Sequence, residues 1–186
     1  MHKLQQSGYA VEPVTLDVPR EANWNAWLVL RQMLTGGKLR ATYADARLRH
    51  LMKPEALWEV EQGLRLAGPQ LYEASAQRTT VYRALLRLFD RFDYLVAPSA
   101  QVFPFAAEER WPRAIAGVAM DTYHRWMEIV TPFTLAGLPV ASVPVGFGAA
   151  GLPMGMQLVG PPRADLQVLA LARDFEEIAP WRQGPA

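Results

Sequence analysis

Residues 135–144 read Leu-Ala-Gly-Leu-Pro-Val-Ala-Ser-Val-Pro, and residues 151–162 read Gly-Leu-Pro-Met-Gly-Met-Gln-Leu-Val-Gly-Pro-Pro. The first stretch continues as a valine-rich apolar run, and in the second methionine and leucine alternate with glycine and glutamine. Short apolar runs and period-two alternation predict β-strands. The Gly-rich residues 148–153 between them predict a turn. The sequence therefore predicts a β-hairpin between residues 140 and 160.

Outward from this hairpin, the sequence pattern predicts mostly helices. Apolar residues at spacings of three and four, proline at helix starts and glycine at helix ends give the boundaries. The predicted helices cover residues 2–7, 21–35 (ended by Gly36-Gly37), 41–51, 54–64, 69–92, 119–136 (interrupted near Pro132) and 165–178. Further strands are predicted at residues 11–16 and 93–98. Residues 99–118 are predicted as an irregular loop anchored by Phe103, Phe105 and Trp111. Strands and helices in this order predict an α/β fold with a mixed sheet.

These motifs resemble the C-terminal part of the amidase signature family, which has a Leu-Ala-Gly-Leu-Pro stretch, then a glycine-rich hairpin, then a helix. Residues 93–99, Asp-Tyr-Leu-Val-Ala-Pro-Ser, resemble the strand that the family places before its variable substrate loop. The resemblance implies part of an α/β/α sandwich with a mixed β-sheet. It also implies that residues 1–186 are a C-terminal fragment of a single amidase domain whose N-terminal catalytic portion is absent.

The composition excludes several kinds of site. The 19 Lys and Arg residues nearly balance the 18 Asp and Glu residues, so no excess charge predicts binding to nucleic acid or to a membrane. Cysteine is absent, which excludes disulfides, thiolate metal sites and cysteine nucleophiles. His2, His50 and His124 lie far apart without a paired ligand spacing, so no metal site and no cofactor are predicted. A cytoplasmic location is the expectation.

No catalytic residue can be transferred from the family. Its nucleophilic serine, cis-serine and lysine come from a Gly/Ser-rich stretch and an N-terminal lysine motif, and this sequence has neither. Its serines stand at 7, 75, 99 and 142, and none is adjacent to another. Asp121 and His124 could be combined with a serine into a triad, but the G-x-S-x-G elbow that exposes such a nucleophile is missing. The sequence predicts that His124 is hydrogen-bonded or solvated instead.

Trp126 and Met127 are the predicted substrate-binding residues. In the amidotransferase branch of the family, an acidic residue near this place contacts a glutamine side chain. Counting back from Leu135, that place falls at Met127, with Glu128 adjacent. The resemblance therefore favours an amidase for a more apolar amide.

The predicted function is that of part of an amidase-family hydrolase, which converts a carboxylic amide and water into carboxylate and ammonia. The chain alone is expected to be inactive. Its expected partners are the missing N-terminal amidase portion, a small amide substrate and, as a further possibility, a second copy in a homo-oligomer. Three alternatives remain open: the non-catalytic half of a split amidase, a binding or scaffold module, and a fragment of an amidotransferase A-subunit.

Overall fold

A computed structural model describes residues 2–179. They form two compact units, one of the residues up to Asp17 together with those from Ala84 onward, the other of Val18–Arg83. The helices are α1 (His2–Gln6), α2 (Arg20–Ala44), α3 (Ala46–Arg49), α4 (Pro54–Arg65), α5 (Gly68–Phe89), a 3₁₀ helix (Arg125–Val130), α6 (Thr131–Ala136) and α7 (Asp165–Ile178). The strands are β1 (Leu95–Pro98), β2 (Ala114–Ile115), β3 (Val118–Ala119), β4 (Val140–Phe147) and β5 (Pro153–Val159). Over this described range, every helix is too short or too polar to cross a bilayer.

The first unit contains a three-stranded sheet in the order β1-β5-β4. Both pairings are antiparallel, and Val159 lies opposite Leu95 on one side and Val140 on the other. The ladder between β4 and β5 is irregular between Pro144 and Gly146, as expected where a proline interrupts a strand. The α/β class and the predicted hairpin are thus confirmed. The parallel pairing that a mixed sheet also requires is not found in the sheet of residues 2–179.

The core of this unit lies between the sheet and two helices. Leu158 and Val159 in the central strand β5 are fully buried. Helix α7 packs its predicted apolar stripe against the sheet, and Leu4 of α1 completes the cluster. The buried members are Leu4, Val143, Met156, Leu158, Val168, Leu171, Phe175 and Ala179. One face of the hairpin and the apolar stripe of α7 therefore share one core, as the period of each element predicts.

In the second unit, α2 packs closely against α4. A Cβ added at Gly36 would lie 3.1 Å from the Cα of Gly63, and one added at Gly63 would overlap the carbonyl group of Gln32. Arg31 on α2 donates two hydrogen bonds to the carboxylate of Glu59 on α4. The predicted helix end at Gly36-Gly37 is wrong, because Gly36 lies where the two backbones approach and α2 continues to Ala44.

Other boundaries also differ from the prediction. Residues 11–16 form no strand, and Pro13 within them lacks the N–H that a ladder needs. The predicted helix over residues 119–136 is shorter, because residue 119 ends the small β2–β3 hairpin. The predicted interruption near Pro132 is found: the 3₁₀ helix ends at Val130, and Pro132 lies in the first turn of α6. The helices starting at Pro54 and Asp165 and the strand before Pro98 are confirmed.

Helix α3 begins at a charged cap. Arg47 donates to the Asp45 carboxylate from its side chain, at 3.2 Å, and from its backbone N–H, at 2.9 Å. The side-chain bond first and the backbone bond second lower the pKa of Asp45 from its usual 3.8. A carboxyl group with a lowered pKa stabilises the folded state above its unfolded pKa, and that stabilisation is lost as the pH falls through the folded pKa.

We therefore expect the Asp45 cap of α3 to be lost on acidification, in a transition with a midpoint below the usual pKa of 3.8. The amide chemical shifts of residues 46–49, followed by NMR from pH 6 downward, measure this transition. In Asp45→Asn the transition should be absent, while in Asp17→Asn it should remain. A transition of unchanged midpoint in Asp45→Asn would mean that another group controls the helix.

Candidate functional site

The two predicted substrate-binding residues lie in the first unit, on the 3₁₀ helix that precedes α6. Trp126 and Met127 are both half-buried. The ring of Phe105 meets the indole of Trp126 edge to face, with centroids 5.5 Å apart and an interplanar angle of 87°. Such a contact is favourable for aromatic pairs and restricts the orientation of the indole. Phe105 and Trp126 thus form one aromatic contact between the loop after β1 and the 3₁₀ helix.

A buried ion pair lies within the same 3₁₀ helix. Arg125 Nε lies 2.9 Å from Glu128 Oε2, and the two side chains are only 7% and 5% exposed. The hydroxyl of Thr131, which is also buried, donates to the carbonyl oxygen of Glu128 at 2.8 Å. A buried carboxylate with a bound guanidinium is already neutralised. Glu128 is therefore engaged by its own helix and is not offered to a charged ligand.

The loop after β1 is tied to both the sheet and the 3₁₀ helix. The backbone N–H of Ser99 donates to the carbonyl of Gly155, and Gln157 Nε2 donates to the carbonyl of Pro98 at 2.8 Å. Gln101 Nε2 donates to the carbonyls of Arg125 and Trp126 at 3.1 and 2.9 Å. These bonds join β5, the loop and the 3₁₀ helix into one hydrogen-bonded assembly.

Gly155 contacts this loop closely. A Cβ at position 155 would overlap the hydroxyl of Ser99 and lie 3.4 Å from the carbonyl oxygen of Val143. Glycine at position 155 therefore makes room for the Ser99 side chain more than for a backbone. Ser99 itself is half-buried beside the central strand.

The indole N–H of Trp126 is enclosed. Its nitrogen is buried and has no hydrogen-bond partner among residues 2–179. A buried donor without an acceptor costs free energy of about 1–3 kcal/mol. The exposed part of the half-buried Trp126 is therefore its ring and not this N–H.

The triad of Asp121, His124 and a serine does not form. His124 is 2% exposed, and its ring meets that of Tyr123 edge to face at 5.1 Å, so it is buried rather than solvated. Asp121 is exposed, and its carboxylate lies 3.9 Å from Arg125. The serines at 7, 75 and 142 are exposed at the surface. This arrangement supplies no activated serine nucleophile in the described part of the chain.

No metal centre was found between residues 2 and 179, where no three His, Cys, Asp or Glu side chains form a ligand group. A cleft of about 530 Å³ lies within the second unit, between the first turns of α2 and those of α5. Small apolar residues such as Ala26 and Ala74 line it, with Asn25, Glu73 and Gln77 among its polar residues. Neither Trp126 nor Met127 belongs to this cleft.

The sequence predicted the aromatic anchors of the loop, but not the roles of three other residues of the candidate site. Phe105 contacts Trp126, Phe103 lies against Gly148, and Trp111 meets Tyr123 edge to face, so each anchor has a partner. The roles of Gln101 and of the Arg125–Glu128 pair were not predicted. The i, i+3 spacing of Arg125 and Glu128 signalled the pair, whereas Gln101 and its acceptors are 24 and 25 residues apart and carry no local signal.

The family model and the relatives that match this chain agree with one another. The family model described as Amidase matches residues 1–169. The A-subunit of the glutamyl-tRNA(Gln) amidotransferase from Symbiobacterium thermophilum is 42% identical over 106 residues, covering 56% of this chain and 20% of the relative. The protein of the same description from Zymomonas mobilis is 30% identical over 160 residues, covering 83% of this chain and 31% of the relative.

Solved structures agree with these matches. The crystal structure of a bacterial aryl acylamidase of the amidase signature family superposes with a TM-score of 0.87 at 27% identity. The superposition covers 98% of this chain and 39% of that protein. A second amidase structure superposes with a TM-score of 0.82 at 20% identity, which supports the fold alone. The chain thus spans well under half the length of the proteins that it matches.

Proposed function

Because this chain belongs to the amidase family, we propose that it supplies one wall of the substrate pocket in an amidase that hydrolyses a carboxylic amide to carboxylate and ammonia. In this proposal the serine nucleophile, its cis-serine and its lysine belong to the remaining portion of the domain. The observation that carries the proposal is the superposition of 98% of the chain on 39% of an aryl acylamidase. The chain thus resembles part of a family enzyme, while its own described residues offer no activated serine.

The role of this chain in the reaction is to bind and shield the substrate. Acyl transfer through a serine passes through an acyl-enzyme intermediate, which water must reach only at the correct step. The aromatic pair of Trp126 and Phe105, with the apolar Met127 next in the chain, suits an aryl or alkyl group next to the reacting amide. The buried ion pair and the Gln101 bonds would hold that aromatic pair in place during turnover.

A second candidate is the glutaminase reaction of an amidotransferase A-subunit, because the similar curated relatives carry that description. The family resemblance implies that glutamine is recognised by an acidic residue near the place of Met127, which contacts the glutamine side chain. Met127 is apolar, and Glu128 beside it is buried and already bound to Arg125. These contacts favour an uncharged amide over glutamine.

The partners follow from the same proposal. The first is the amidase portion carrying the catalytic groups, in the same polypeptide or as a separate chain, and the second is a small amide. A homo-oligomer is compatible with this arrangement. A cytoplasmic location remains part of the proposal. The near balance of charges supports the further proposal that nucleic acid and membranes are not partners.

We expect the purified chain to hydrolyse no amide above the uncatalysed rate. The physical reason is that pocket residues without a nucleophile can only bind substrate. The measurement combines a panel of aliphatic and aryl amides with labelling by a serine-reactive fluorophosphonate. Stoichiometric labelling of Ser7, Ser75, Ser99 or Ser142 would contradict the expectation.

The proposed function itself is tested by adding the missing groups. The DNA upstream of the Met1 codon is read, and any in-frame or adjacent segment with a Gly/Ser-rich stretch and a lysine motif is expressed together with this chain. The combined protein should hydrolyse acetanilide faster than glutamine and take the fluorophosphonate on a serine of the added portion. Preferential glutamine hydrolysis would favour the amidotransferase candidate, and no turnover of any amide would contradict both.

A further inference from the structure

We propose that Gln101 is a positioning residue that fixes the 3₁₀ helix and, through it, the indole of Trp126. The inference deepens the proposed function, because it names the residue that sets the pocket wall. The first part of the proposal, that Gln101 positions Trp126, can be tested without any amide substrate. Only the second part, an effect on amide binding, rests on the proposed function.

The amide nitrogen of Gln101 makes two hydrogen bonds. A glutamine amide nitrogen carries two hydrogens, and here they reach the carbonyls of two consecutive residues, Arg125 and Trp126, at 3.1 and 2.9 Å. Both acceptors lie in the first turn of the 3₁₀ helix. Two bonds from one planar group fix the distance and the rotation of that turn relative to the loop.

The loop that carries Gln101 is itself fixed to the sheet. Ser99, two residues before Gln101, donates its backbone N–H to Gly155 in β5, and Pro98 accepts a bond from Gln157 in the same strand. Gln101 therefore connects the central strand to the 3₁₀ helix. Four residues further on, Phe105 meets the Trp126 ring at 5.5 Å. The same loop thus restrains both the backbone and the side chain of Trp126.

The chemistry at position 101 requires a neutral donor of this length. A glutamate there would place carboxylate oxygens against two carbonyl oxygens, which repel it. Asparagine is one methylene shorter and would not reach both acceptors from the same backbone position. Leucine would fill similar space without donating, so both carbonyls would lose this partner.

The first experiment uses the full chain and the indole ¹⁵N–¹H resonance of Trp126, assigned by its loss in Trp126→Phe. In Gln101→Glu and Gln101→Leu we expect this resonance to shift and the backbone amides of residues 125–130 to exchange about tenfold faster or more. The matched control is Gln77→Glu, which makes the same charge change at a half-buried glutamine of α5. Indole resonances of the other tryptophans should keep their positions, which shows that the fold is intact.

Gln101→Asn covers the case in which the charged variant fails to fold, because it keeps a neutral amide donor and only shortens its reach. It should give a smaller shift of the Trp126 resonance in the same direction. An unchanged Trp126 resonance and unchanged exchange in the leucine and asparagine variants would overturn the positioning role.

The second experiment titrates acetanilide, as a neutral aryl amide, into the chain and its variants. Acetanilide should shift the Trp126 resonance of the parent chain, and binding should weaken in Gln101→Leu but not in Gln77→Glu. If the Gln101 variants move Trp126 while acetanilide leaves it unchanged in the parent, positioning stands and the proposed pocket wall is wrong. If acetanilide shifts Trp126 equally in the parent and in Gln101→Leu with equal affinity, the second part of the proposal is wrong.

Discussion

Replacing Arg125 with methionine is expected to lower the free energy of unfolding by about 3–5 kcal/mol, because it removes the guanidinium that neutralises the buried Glu128 carboxylate. Arg125 and Glu128 are 7% and 5% exposed, so water cannot take the place of the lost guanidinium. Urea denaturation followed by circular dichroism measures the change. This variant has the largest expected effect of any single substitution considered for the first unit.

Two further variants distinguish the effect of burying an ion pair from the effect of forming one. Arg173→Met removes an ion pair of similar length, 2.7 Å to Asp174, in which both side chains are well exposed. Exposed pairs contribute about 0–1 kcal/mol, so this control should change little. The double variant Arg125→Met with Glu128→Leu should recover most of the loss, since apolar side chains of similar size often replace buried pairs without penalty. Equal small losses in Arg125→Met and Arg173→Met would show that the buried pair contributes no more than an exposed one.

Substituting alanine for Gly63 is expected to destabilise the second unit, whereas the same change at Gly37 should stabilise it. A Cβ at Gly63 would overlap the carbonyl group of Gln32, so α2 and α4 must move apart. Overpacking of this kind costs about 1–3 kcal/mol. At Gly37 a Cβ meets no atom within 4 Å, and the higher helix propensity of alanine contributes about 1 kcal/mol.

Gly63→Ala and Gly37→Ala are matched variants, because the two glycines lie in α4 and α2, which pack against each other. Thermal unfolding of the full chain and amide exchange within α2 and α4 measure the effect. Gly36→Ala should fall between the two, since its Cβ would lie 3.1 Å from the Cα of Gly63. Similar unfolding temperatures for Gly63→Ala and Gly37→Ala would mean that the helices are not in close contact in solution.

The candidate site was predictable only in outline. The motif at residues 135–162 led to the family, and counting back from it led to Trp126 and Met127. The structure places both on one 3₁₀ helix and adds Phe105, a predicted loop anchor, as a direct neighbour. Their role toward a substrate remains a prediction. Gln101 and the buried state of Glu128 could not be predicted, since each depends on groups that only the folded chain brings together.

The sequence by itself determined the elements whose signals are local. Alternation within residues 153–159, the valine-rich strand before them, Pro54 at a helix start and the apolar stripe of α7 each specify an element within about ten residues. Such periodic patterns act through side chains that are neighbours in the sequence, so they can be read without the fold.

The tertiary structure alone decided where α2 ends and which strands pair. Glycine at positions 36 and 37 favours a helix end locally, but α2 continues because Gly63 of α4 packs where a side chain would otherwise stand. Residues 11–16 have the composition of a strand but gain no ladder partner. Helix ends and strand pairing therefore followed long-range packing, whose free energy outweighs a local preference of about 1 kcal/mol at a glycine.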